Sequence, residues 1–289
     1  MSRPVGIAIL GLGGWSRKLA AAALRSQKID LLTCYTRTPE TRQAFAAEFG
    51  CLAAGSLEEA LTTPGVEAAL ITSPSHTHLA LARACAEHGR HVFVEKAMAL
   101  TYADGLKMIR EVHGRGLTLM VGHEMRRLGS HRAMKQILES GRLGQVSLAT
   151  AGFTLAGSFM NNNWRTSRNT NRGGALMQLG IHQIENLIYL LGPVAQVRGF
   201  FAHTTAPVDV DDVGIANLIF ESGAAGSVAS TFVSPPTYEI HLFGSQMNLH
   251  CGIDMRVWPD ARQVDPNTTL SLQRRDGGMK AQNHGTAFG

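Results

Sequence analysis

The run Val5-Gly-Ile-Ala-Ile-Leu10, followed at once by Gly11-Leu-Gly13-Gly14-Trp15-Ser16, constrains this chain more than any other segment. A short apolar segment that ends in glycines and opens an alanine-rich amphipathic stretch, Trp15–Ser26, reads as a strand, a tight turn and a helix. Gly11, Gly13 and position 16 have the Gly-x-Gly-x-x-Gly spacing. The first glycine makes the turn, the second lets backbone approach a pyrophosphate, and the helix start offers N–H groups to the anion. Ser16 stands at the third position, where a small residue still permits close helix–strand packing. The loop predicts dinucleotide binding through Gly11, Gly13, Gly14, Trp15 and Ser16.

The alternation continues. Strands are expected at Leu31–Tyr35, Ala68–Ile71, His91–Val94 and Thr118–Val121. Helices are expected at Pro39–Phe49, His78–His88 and Tyr102–Arg115. Such βαβ units build a mostly parallel sheet with right-handed crossovers. After Gly122 the pattern changes. Helices are expected at Ser130–Ser140 and Gly173–Leu191, a strand at Val146–Phe153, and a polar, turn-rich stretch over Ser158–Arg172. Strand-like runs follow at Val194–Thr204, Val213–Phe220, Gly226–Val233, Tyr238–Leu242 and Met247–His250, suited to an antiparallel sheet with one covered face. Past Pro259 the signal fades, and Ser271–Gly289 reads as polar and loosely held. The fold class is therefore α/β. Residues 1–122 form an N-terminal Rossmann domain with a doubly wound parallel sheet. Residues 123–289 form a C-terminal α+β domain with an open, largely antiparallel sheet.

Charge and cysteines exclude several functions. The formal net charge of +5 comes from 27 basic and 22 acidic residues with no basic block, which disfavours nucleic acid and suits an anionic cofactor. The four cysteines include no Cys-x-x-Cys pair, so neither a zinc site nor a disulfide framework is expected. The start runs directly into a strand without a leader, and no apolar run is long enough to span a bilayer. These features predict a cytoplasmic protein with no metal and no membrane partner.

The ends of the predicted parallel strands carry the chemistry, because open α/β sheets bind ligands at their carboxyl edge. No acidic residue follows the second strand. Thr36 and Arg37 stand there instead, and an arginine can pair with a ribose 2′-phosphate that a carboxylate would repel, so NADP is favoured over NAD. Thr72-Ser73-Pro74-Ser75-His76-Thr-His78 follows the strand Ala68–Ile71, where Ser75 and His76 fit helix capping or ligand contact equally. Val92-Phe-Val-Glu95-Lys96-Ala97 brings Lys96 to the same edge, where its ammonium can polarise a substrate oxygen or take part in proton transfer.

Taken with Val121-Gly122-His-Glu-Met-Arg126-Arg127, Trp164-Arg165, Gly173-Gly174-Ala-Leu-Met-Gln178-Leu-Gly180-Ile-His182 and Leu191-Gly192-Pro193, these segments make the chain resemble the glucose-fructose oxidoreductase/inositol dehydrogenase (Gfo/Idh/MocA) family over Val5 to about Gly252. The resemblance implies a dehydrogenase or reductase acting on a sugar, polyol or related cyclic hydroxyl or carbonyl compound. It implies a small-molecule substrate bound between the second-domain sheet and the nicotinamide, and a homo-oligomer, dimer or tetramer, formed through the C-terminal sheet. Lys96 would bind the reacting hydroxyl and His182 would be the acid/base. Ser73, Pro74, His78, Glu95, Lys96 and Arg165 would lie toward the cofactor. Arg126, Trp164 and Gln178 would lie toward the substrate, with specificity in the Asn161–Arg172 loop.

Three departures from that family stand out. Ala97 replaces the usual proline after Glu-Lys. A cis bond before a non-proline residue costs about 2.5–4 kcal/mol, which predicts trans at Lys96–Ala97. Gln178 replaces the usual aspartate, so the Lys-Asp-His relay lacks a member. Glu185 is either a substitute carboxylate or a solvated helix charge. The chain also stops earlier than most relatives. Two other functions compete: an NAD-dependent glycoside hydrolase of the same fold, and a cofactor-binding protein without turnover.

Overall fold

The computed structural model describes residues 3–156, 164–257 and 264–283. Two compact units make up the chain, Met1–Gly122 and His123–Gly289.

In the first unit the strands are β1 (Val5–Leu10), β2 (Ile29–Tyr35), β3 (Leu52–Ala53), β4 (Val66–Ile71), β5 (His91–Glu95) and β6 (Leu119–Gly122). They form an all-parallel sheet in the order β3-β2-β1-β4-β5-β6, which puts the topological switch point at β1 and β4. The helices are α1 (Gly14–Leu24), α2 (Pro39–Phe49), α3 (Leu57–Thr62), α4 (His78–Glu87) and α5 (Tyr102–His113). Their ends follow local chemistry. Pro39 opens α2 and Gly50 closes it at φ 71°. Ser56 and Thr101 cap α3 and α5 by accepting from Glu59 N and Asp104 N. Ile7, Ile9, Cys34 and Phe45 pack on one side of the sheet; Ala8, Leu10, Ile71, Val94 and Met108 pack on the other.

The second unit contains α6 (Gly129–Glu139), α7 (Ile181–Leu191) and strands β7 (Val146–Thr154), β8 (Val194–Ala202), β9 (Val213–Phe220), β10 (Ala225–Thr231), β11 (Thr237–Gly244), β12 (Met247–Ile253), β13 (Thr268–Arg274) and β14 (Met279–Asn283). The sheet order is β14-β13-β12-β11-β7-β10-β9-β8. It is antiparallel except where β7 and β10 run parallel. The inward residues of β7, β9, β10 and β11 join Met134, Leu187 and Leu190 of the helices in one core.

The expectation of a loose tail from residue 271 is corrected. Leu270 and Leu272 are buried on β13, Gly277 turns the chain at φ 83°, and β14 pairs back through Lys280 opposite Leu272. Polar outward residues on an edge hairpin hide its strand alternation. Residues 284–289 lie outside the described residues. The helix expected over Gly173–Leu191 is not uniform, because Leu176–Gly180 form a π-helical turn before α7. Among the described residues no helix is long and apolar enough to cross a membrane.

Candidate active site

In the first unit the glycine loop is shaped by close approach. Gly11 has φ 91°, and a Cβ there would meet the Ser73 backbone at 2.6 Å. At Gly13 and Gly14 a Cβ would meet no protein atom within 4 Å. Gly13 precedes α1 without any side-chain cap. The helix start is thus an open cradle of backbone N–H groups, the arrangement that accepts a phosphate. Ser16 is fully buried, and its hydroxyl donates to the Gly13 carbonyl at 2.6 Å, so it braces the loop from behind.

The indole of Trp15 donates to Glu95 Oε1 at 2.7 Å, and Glu95 Oε2 accepts from Lys96 N at 3.2 Å. Gly122 leaves room for that carboxylate, since a Cβ there would stand 2.7 Å from Oε1. Lys96 follows β5 directly and is half-buried. Thr36 and Arg37 follow β2. The Thr36 carbonyl accepts from Arg42 Nη1 at 3.1 Å, and Arg37 is exposed.

His78 opens α4. It is fully buried, with Nε2 at 2.8 Å from the Ser73 carbonyl and Nδ1 at 3.0 Å from the Ala97 carbonyl. Burial pushes its pKa down, against carbonyls that favour the cation. His78 therefore ties the Ser73-Pro74 loop to the segment after Lys96. Capping by Ser75 or His76 is not seen, because α4 has no side-chain cap; the Ser73 and Thr77 hydroxyls bond each other at 2.6 Å. The trans expectation at Lys96–Ala97 is also corrected: the bond is cis. Ala97 is buried and its carbonyl is held by His78, so tertiary contacts override the local preference.

In the second unit His182 lies one residue into α7 and is 4% exposed. Close packing of side chains around the preceding turn sets its position. Gly180, at the end of the π-helical turn, admits Ser230 of β10, whose Oγ would stand 2.8 Å from a Cβ. The Phe153 ring of β7 lies 6.0 Å from the His182 ring. Glu124, in the 3-10 turn Glu124–Arg127, places Oε1 3.7 Å from His182 Nδ1.

Gln178 is buried in the π-helical turn and donates from Nε2 to Asn171 Oδ1 at 3.3 Å. Asn171 Nδ2 in turn donates to the Arg165 carbonyl at 2.7 Å. Gln178 thus reaches the Trp164–Thr166 turn, where the Arg165 guanidinium stacks 4.4 Å from the Trp164 ring. Burial lowers the Arg165 pKa. The part of the expected specificity loop at 161–163 lies outside the described residues.

Glu185 is not a solvated helix charge. It is buried and pairs with Arg126, whose guanidinium also lies 5.6 Å from the Tyr189 ring centroid. Glu124 lies within the Val121–Arg127 motif and Asn171 within the polar stretch before Gly173, where spacing alone marks no role for either. Glu124 is recognisable only from a partner far along the chain, and Asn171 only from its side-chain bonds to residues six and seven positions away. Among the described residues no group of three or more His, Cys, Asp or Glu is arranged to hold a metal.

Residues 5–123 match the oxidoreductase family with an NAD-binding Rossmann fold, and residues 131–250 match the GFO/IDH/MocA C-terminal domain. A candidate NADPH-dependent oxidoreductase from Desulfitobacterium hafniense superimposes with a TM-score of 0.92 at 32% identity, covering 98% of this chain and 82% of that one. The WlbA dehydrogenase from Bordetella pertussis, solved with NADH and UDP-GlcNAcA, gives 0.82 at 27% identity over 86% and 78%. The scyllo-inositol 2-dehydrogenase (NADP(+)) of Bacillus subtilis is 26% identical, over 81% of this chain and 66% of its own. Two family matches in chain order and a fold shared throughout lead to one conclusion: the chain belongs to the GFO/IDH/MocA family of oxidoreductases.

Proposed function

We propose that this protein is an NADP-dependent dehydrogenase or reductase that acts on a hydroxyl or carbonyl of a sugar, polyol or related cyclic compound. The observation that carries the cofactor reading is the uncapped start of α1, open at Gly13 and Gly14. Arg37, exposed after β2 where no carboxylate stands, supports a 2′-phosphate and hence NADP. Bound there, the nicotinamide would exchange a hydride with the substrate carbon.

The chain's own residues do the rest. The loop from Gly11 to Ser16 binds pyrophosphate through backbone N–H groups. Glu95, held by Trp15, fixes the end of β5 so that Lys96 presents Nζ to the reacting oxygen. His182 exchanges the hydroxyl proton. Arg126 and Trp164 orient the substrate, and Arg165 serves the cofactor phosphates. The substrate class follows the relatives' names, an inositol dehydrogenase and a dehydrogenase solved with a sugar nucleotide.

The outward face of the eight-stranded sheet suits a homo-oligomer. Ile219, Ala225, Leu148 and Phe243 stand in one cross-strand row over β9, β10, β7 and β11. Calorimetric titration with NADPH and NADH, then a reduction screen of polyols and sugars, tests the activity. The reading requires tighter NADPH binding and turnover of at least one compound. Binding of neither cofactor refutes it.

A further inference from the structure

The residue usually expected to charge the histidine is absent, because Gln178 is neutral and donates its amide to Asn171. We propose that Glu124 is the carboxylate partner of His182, a positioning residue that orients the imidazole through Nδ1 and favours its cation; this rests on the acid/base role proposed for His182. Oε1 of Glu124 is 3.7 Å from Nδ1, within ion-pair range. The histidine is 4% exposed while the Glu124 side chain is 35% exposed. The pair therefore joins a buried imidazole to a carboxylate that keeps some hydration, and the charge costs less there than a fully buried one.

Several of the other groups around α7 have partners of their own. On α7 itself Glu185 pairs with Arg126. From α6, Lys135 faces the Tyr189 ring and His131 bonds the Tyr238 hydroxyl of β11. Strand β7 offers the Phe153 ring, and β10 offers Ser230 at Gly180. An ion pair on the Nδ1 side favours the imidazolium and leaves Nε2 to exchange the substrate proton, the logic by which a third group orients a catalytic base.

The test uses the intact protein and does not need turnover. Imidazole nitrogen NMR follows the histidine titrations, and His182 is identified by its loss in His182→Asn. In Glu124→Gln the His182 midpoint is expected to fall by about one pH unit, a tenfold loss of proton affinity. Unchanged signals from the other histidines show that the fold is kept. Glu124→Asp, with a shorter reach, gives a second reading and should fall between the two. Midpoints in both variants that stay within about 0.2 pH units of the unsubstituted protein overturn the proposal. Where a substrate is found, Glu124→Gln should lower kcat about 10- to 100-fold with KM little changed. A protein that turns over no compound refutes the oxidoreductase reading, while the titrations still decide the pair.

Discussion

The indole N–H of Trp15 donates to Glu95 Oε1 at 2.7 Å, joining the turn after β1 to the end of β5. One hydrogen bond thus couples the segment proposed to cradle a phosphate to the residue immediately before Lys96. Glu95 is buried, so its carboxyl oxygens need such donors, and leaving a buried acceptor without one costs about 1–3 kcal/mol. Trp15→Phe is expected to lower unfolding stability by about 2 kcal/mol in urea titrations. It should also weaken NADPH binding by calorimetry, because the loop and strand end then move independently.

The glycine loop makes a paired prediction. At Gly11 the backbone is left-handed and Ser73 is already in contact, so Gly11→Ala should destabilise the first unit by about 2 kcal/mol or more. At Gly13 the backbone is extended and the added methyl meets no protein atom within 4 Å. Gly13→Ala should leave the urea midpoint almost unchanged and cut NADPH affinity on the order of tenfold, the methyl occupying space meant for the ligand. Equal losses of stability at both positions would contradict this division of roles.

What the sequence made legible was local. The strand, glycines and helix of the first turn are contiguous, and Lys96 follows its strand without interruption, so spacing alone places them. The partners of His182 and Gln178 were not legible, because Glu124 and Asn171 reach them only through the packing of α7 and the π-helical turn on the sheet. That turn was invisible because Leu176, Leu179 and Leu187 satisfy an ordinary helical period. The β13–β14 hairpin was lost because the outward residues of β13, Thr269, Ser271 and Gln273, are polar, and Leu270 and Leu272 give its core face too short an apolar signal.

A buried polar chain gives a pH prediction. Asn186 Nδ2 donates to the Tyr238 hydroxyl at 2.7 Å, and that hydroxyl lies 2.8 Å from His131 Nε2. His131 Nδ1 lies 3.2 Å from Ser130 Oγ. Burial pushes the His131 pKa down to about 4 from 6.5. The folded value is the lower one, so between pH 6.5 and 4 the unfolded chain binds a proton that the native state refuses. The stabilisation is complete above pH 6.5 and disappears as pH falls toward 4, a loss on the order of 3 kcal/mol. Urea unfolding from pH 7.5 to 4.5 should show it, and His131→Gln should flatten that slope.

The apolar row on the outward sheet face predicts association. Ile219 is exposed between the buried Leu218 and Phe220, and Leu148 is exposed beside the buried Ala149. Replacing both with glutamate leaves the core face intact but would put charges into the proposed contact between copies, which like-charge repulsion and desolvation oppose. Sedimentation velocity should show a shift from dimer or tetramer to monomer with the same unfolding midpoint. An unchanged assembly would place the contact elsewhere.

Gln178→Asp restores the carboxylate that the resemblance leads one to expect, and it should not help this enzyme. Gln178 is buried and donates to Asn171, whose own amide holds the Arg165 carbonyl. An ionised aspartate has no proton to donate, so its oxygens would face Asn171 Oδ1 unless that amide turned and released Arg165. A buried acceptor left without a donor costs about 1–3 kcal/mol, and the Trp164–Thr166 turn loses an anchor. With Glu124 already beside His182, the added charge duplicates a function rather than supplying a missing one. The expected result is a lower urea midpoint and a raised substrate KM, with kcat no higher than in the unsubstituted protein. A clear rise in kcat would mean that Glu124 leaves the histidine short of charge.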